Sequence, residues 1–219
     1  MVRDAAVVLA ALTGFGLIAS AGELAHRRLG VSPDATRGVE HIAAGVFSAC
    51  LPRFLTFPQI AATCVILTGV VAFSARFHVF RGIHDVTRRT WGELLFPVGL
   101  LALAILVPRD PCFVYGALVL GVSDGLAGLL GARFGRAGAH GQRRRSSAVG
   151  TASCFLSSAL IGVGVLINQG VSILEGLAAS VVAAALLTAI EASLSGGLDD
   201  LVLPTAAGTA MLLMLHILA

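Results

Sequence analysis

The stretch LVLGVSDGLAGLLGARFGR, residues 118–136, sets a single carboxylate, Asp124, among small and aliphatic residues and turns basic only at Arg133 and Arg136. An apolar segment of this kind with a charge near one end reads as a helix that crosses or enters a bilayer. The rest of the chain agrees. Of 219 residues, 57% are hydrophobic and only 12% charged, with a mean hydropathy of +0.92. A globular domain carries about a quarter charged residues, so a soluble fold could not cover itself with this supply. The composition excludes a cytosolic enzyme, a secreted disulfide scaffold and a disordered tail. It predicts an all-α, polytopic integral membrane protein of 7–8 helices in one bundle, a single domain over residues 1–219.

Apolar runs bounded by charge, Pro or Gly fall at 5–21, 39–52, 56–75, 93–107, 112–130, 148–168, 173–191 and 201–219. The first resembles a signal peptide, but the chain continues in the same style, so it is kept as a span. The second and fourth are short for a hydrocarbon layer of about 30 Å and are expected to be tilted, half-inserted or buried among neighbours. With this count, 12 of the 15 basic residues, all arginines, lie in odd-numbered loops; only Arg3, Arg53 and Arg109 fall on the other face. The positive-inside rule then puts the odd loops in the cytoplasm. The same distribution accounts for the pI near 9.0 without a nucleic-acid partner. Cys50, Cys64, Cys112 and Cys154 have no metal-ligand spacing and read as small hydrophobes.

Ionisable groups inside spans are expensive and mark function. Asp124 is the sharpest case; the alternative is a packing helix whose glycines, Gly121, Gly125 and Gly128, admit a neighbour that pairs with it. Glu191 closes the seventh run, and Asp199 and Asp200 follow the turn SLSGGL, where a solvated turn is the alternative. All four acids fall on the arginine-rich side. Arg37 and His41, four apart, share one helix face, and His41 is read either as a ligand for substrate hydroxyl or phosphate or as a structural hydrogen-bonder. Arg88, Arg89 and Glu93 repeat the pattern before the fourth run. The segment GARFGRAGAHGQRRRSS, residues 131–147, has no carboxylate and suits anions. Carboxylates for Mg²⁺ beside arginines for phosphate are what a nucleotide triphosphate requires. Phosphate-loop, protein-kinase, zinc-helix and nucleophile-elbow motifs are absent, so a soluble-type nucleotide fold is excluded.

Four segments in order resemble the CTP-dependent polyprenol kinase family, which includes dolichol kinase and phytol kinase and is related to the phosphatidate cytidylyltransferases. TRGVEHIAAG matches a basic-x3-His-x3-Gly element through Arg37, His41 and Gly45. RRTWGELLFPVG matches through Gly92 and Glu93, and SDGLAGLLGARFGR through Asp124, Ala127, Gly131, Gly135 and Arg136. EASLSGGLDDLVLP matches through Glu191, Gly197, Asp199 and Pro204, with Asp200 where the family carries Asn. In SSAVGT, Gly150 and Thr151 are kept, while Ser146 and Val149 stand where a lysine and an acid are expected, with Arg145 adjacent.

The resemblance implies a membrane-embedded kinase that transfers the γ-phosphate of CTP, or another NTP, to a lipid alcohol such as phytol, dolichol or another polyprenol. Asp124, Asp199 and Asp200 would hold Mg²⁺; Asp124, His41 and Glu191 would act in catalysis; Arg37, Gly131, Arg133, Gly135, Arg136, Arg145, Gly150 and Thr151 would bind the nucleotide phosphates. The site is expected at the cytoplasmic face of a prokaryotic plasma membrane, with homodimerisation left open. A cytidylyltransferase making CDP-lipid is the alternative chemistry, and a small secondary transporter the alternative of another class.

Overall fold

The computed structural model describes residues 2–77, 91–134, 147–194 and 196–218. Among these the chain is helical, with no strand, and each of the eight apolar runs lies in a helix. They are α1 (Val2–Leu29), α2 (Pro33–Cys50), α3 (Phe57–Phe77), α4 (Gly92–Leu106), α5 (Asp110–Phe134), α6 (Ala148–Asn168), α7 (Ile173–Ser193) and α8 (Leu198–Ile217). Six of them are long and apolar enough to cross a bilayer: α1, α3, α5, α6, α7 and α8. The two that fall short are the second and fourth, the second through its charges and the fourth through its length. The apolar α4 has 15 residues, and α2 carries Asp34, Arg37, Glu40 and His41 along 18.

Local chemistry sets the helix ends. Ser32 caps α2 by accepting a hydrogen bond from the Ala35 N–H, with Pro33 following it; Ser147 and Ser172 do the same for α6 and α7. Two starts differ from the expected ones. The cap at Ser32 begins α2 six residues before the apolar run does, because capping and not hydropathy decides where a helix starts. The glycines Gly196 and Gly197, at φ 77° and 94°, make a left-handed turn that only glycine adopts cheaply. Helix α8 therefore begins at Leu198, and Asp199 and Asp200 occupy its first turn, where the helix dipole favours acids, instead of a solvated loop.

Helix α5 sits at the centre, against α2, α6 and α8, and α4 is wedged between α3 and α8. Their shared core holds Tyr115, Phe113, Leu120, Leu100, Leu103, Leu203 and Met211, all fully buried. Outward-facing leucines, isoleucines and valines on α1, α3 and α7 are exposed, as lipid contact requires. Where α2 crosses α5, Gly45 and Gly121 meet backbone to backbone; a Cβ on either would run into the other's Cα. At that crossing the α5 backbone changes register, with a π-helical turn at Val119–Asp124 between α-helical Asp110–Leu118 and Gly125–Phe134. Such turns are rare and collect at functional sites.

Candidate active site

The Gly45–Gly121 contact brings the first turns of α2 against the π turn of α5, and His41 is the side chain that spans the gap. Its Nε2 lies 3.0 Å from the Leu120 carbonyl, 3.2 Å from Asp200 Oδ1 and 3.4 Å from Asp124 Oδ2. Phe96 of α4 meets the imidazole edge-on, with centroids 4.8 Å apart. One potential ligand atom from each of His41, Asp124 and Asp200 lies within 4.8 Å of the others. Three helices distant in sequence thus deliver one group each to a single spot.

The spot is desolvated. The side chain of Asp200 is 5% exposed, His41 13% and Asp124 20%. Asp199 and Glu191 act electrostatically on Asp124, and Asp199 also acts on Asp200, so four acids share one environment. Arg37, one helical turn before His41, is the cation that both Asp124 and Asp200 feel. Carboxylate oxygens of Glu191, Asp199 and Asp200 are buried without a hydrogen-bond partner; Asp200 Oδ1 is near His41 but not aligned with it. Asp200 is buried and Asp124, Asp199 and Glu191 are half-buried, so crowding these acids together carries a desolvation and repulsion cost that added positive charge would offset. The carboxylates of Asp124 and Asp200, within ligand distance of each other, are hard anionic donors of the kind a divalent ion such as Mg²⁺ takes, so these residues fit the ion that the sequence implies.

Main-chain features hold these groups in place. Trp91 N–H donates to the Gly196 carbonyl at 3.0 Å, which fastens the α7–α8 turn to the start of α4. Gly92 lies beneath Arg37 and Asp200, because a Cβ there would strike both the guanidinium and the carboxylate. Pro204 has no N–H to give the Asp200 carbonyl four residues earlier, and that freed oxygen rests against Gly99 of α4, where a Cβ would displace it.

The structure brings His41, Asp124, Asp200, Asp199, Glu191 and Arg37 together. Asp199 lies outside the group within mutual ligand distance, and His41 lies within it. Gly131, Gly150 and Thr151 form a neighbouring cluster, in which Gly131 packs on Ser147 and Gly150 at the amino end of α6, and Thr151 N–H bonds the Ser147 carbonyl. Cys154, less than two turns further along α6, feels the charges of both Glu191 and Asp124, so this end of α6 borders the acids. Arg133 is exposed, with its guanidinium 5.5 Å over the Phe134 ring. Gly135, Arg136 and Arg145 lie outside the described residues, as do Arg88 and Arg89. The sequence carried no signal for the Leu120 carbonyl, Phe96, Gly99 or Cys154; Pro204 was the one clue that a carbonyl one turn back was free.

Compared with known proteins, the chain is 32% identical over 206 residues to a phytol kinase of Synechocystis sp., covering 91% of this chain and 87% of that protein. No protein-family model and no solved structure matches it.

Proposed function

The chain belongs to the phytol kinase family, and on that premise we propose that it is an integral membrane prenol kinase that moves the γ-phosphate of CTP to phytol or another long-chain isoprenoid alcohol. The observation that carries the reading is the junction of Asp124, Asp200 and His41, with Asp199, Glu191 and Arg37 around it. In this reading the site faces the cytoplasm across a plasma membrane, on the side where the arginine-rich loops emerge.

Asp124 and Asp200, with Asp199 beside them, would hold Mg²⁺. When bound, that ion neutralises charge on phosphate oxygens. Arg37, in the same spot, supplies a planar fork for oxygens of the transferring phosphoryl group. The amino end of α6, where Gly150 and Thr151 lie, attracts a further phosphate through the positive end of its dipole. The lipid hydroxyl arrives from the bilayer between the helices, and Glu191 accepts its proton through the buried, unpartnered Oε2. The hydroxyl oxygen forms the new bond to the γ-phosphorus as the bond to the bridging oxygen breaks, and CDP leaves. Positioning and charge stabilisation supply most of the rate in such transfers, and fixed groups on packed helices provide both.

The test is to incubate purified protein in lipid nanodiscs with phytol and either γ-labelled CTP or γ-labelled ATP. Label recovered in phytyl phosphate with CTP supports the reading. Label in pyrophosphate with a lipid phosphate as acceptor, and none in phytyl phosphate, overturns it in favour of cytidylyl transfer.

A further inference from the structure

All three neighbours of His41 Nε2 are oxygens, and the only one in hydrogen-bond alignment, the Leu120 carbonyl at 3.0 Å, can never donate. A bare ring nitrogen would aim its lone pair at the carbonyl's own lone pairs with two carboxylates close by. That arrangement is repulsive; with a hydrogen on Nε2 it becomes attractive. The ring has little freedom to escape it, since Phe96 meets it edge-on and its side chain is 13% exposed. From this geometry we infer that His41 is a fixed hydrogen-bond donor through Nε2, a positioning residue that is neither a metal ligand nor a proton acceptor at that atom.

The placement gives the donor two tasks. It ties α2 to a carbonyl within the π turn, four residues before Asp124, so it sets the register at which that carboxylate is presented. It also lies within 3.4 Å of both Asp124 and Asp200, where its positive hydrogen offsets the repulsion of the two carboxylates while leaving their other oxygens for a cation. A ligand role would require breaking the Leu120 bond and turning a lone pair toward the acids. The inference rests on the kinase reading only for its activity readout.

The deciding measurement is a nitrogen-15 spectrum of the histidine-labelled protein in lipid, with and without Mg²⁺, compared with His41→Gln to identify the His41 resonances. A pyrrole-type, hydrogen-bearing Nε2 under both conditions is the expected result. A pyridine-type or metal-shifted Nε2 overturns the inference. The variants provide a second measurement: the Gln amide nitrogen reaches the position of Nε2, whereas that of Asn does not. His41→Gln is expected to bind Mn²⁺, followed by electron paramagnetic resonance, within about threefold of wild type and to retain most prenol phosphorylation, while His41→Asn loses at least tenfold in turnover. A Gln variant that loses Mn²⁺ affinity as severely as Asp124→Asn marks His41 as a ligand. If the wild type phosphorylates no prenol, the kinase reading fails, and the nitrogen spectrum still decides the role of His41.

Discussion

Gly99 of α4 packs against the main-chain carbonyl of Asp200, the oxygen that Pro204 leaves without its helical partner. The contact couples the α4–α8 packing directly to the position of a site carboxylate. Gly99→Ala is therefore expected to push the Asp200 backbone away and lower activity by ~10–100-fold, the range for residues that orient ligands without touching the ion. Helical content by circular dichroism should be unchanged. Wild-type turnover in this variant would show that the contact does not position Asp200.

Asp124 and Asp200 stand at mutual ligand distance, both close to His41 Nε2. Replacing either by Asn removes a charge but keeps the shape, so each variant should insert normally and lose more than ~100-fold in turnover, beyond the outer range for orienting residues. Full activity in Asp124→Asn would remove that residue from the site. Fractionation of membranes and gel filtration in detergent distinguish an inactive protein from a misfolded one.

Removal of divalent ions should act on both activity and stability. Chelation is expected to abolish turnover, and Mg²⁺ to restore it. An ion at about 100 times its dissociation constant adds ~2.7 kcal/mol to the folded state, which thermal unfolding in detergent resolves. Asp124→Asn should lose most of that increment. An equal increment in the variant would place the ion elsewhere.

The Gly45–Gly121 crossing leaves no space for a side chain. Gly45→Val should force α2 off α5 and destabilise the bundle by ~1–3 kcal/mol, the usual cost of overpacking. Because the same crossing seats His41 beside the π turn, activity should fall with stability. An unshifted unfolding curve would show that the two helices do not meet there.

The eight helices named among the described residues were legible because hydropathy reports lipid contact, and the fourth run's weakness as a span was legible from its length. Asp124 stood out because a carboxylate inside an apolar helix has no cheap explanation, and Arg37 with His41 because four-residue spacing places both on one face. Hydropathy cannot see a helix begin at two left-handed glycines, so the first turn of α8, with Asp199 and Asp200, falls outside the last apolar run. The π turn was invisible, since one extra residue in a helical turn leaves no compositional trace. So was the Leu120 carbonyl, because main-chain groups carry no sequence identity. The readings of Gly135, Arg136 and Arg145 fall on residues outside those described, whereas Gly131, Gly150 and Thr151 form a cluster at the amino end of α6, bordering the acids.

Asp199 and Asp200 sit in the first turn of α8, whereas Asp124 and Glu191 precede it in the chain and enter the bilayer before it. During synthesis Asp124 waits without Asp200, so a growing chain stalled before α8 lacks the cluster that His41, Asp124 and Asp200 make together. Biogenesis thereby orders the site: its groups converge only once α8 has joined the bundle.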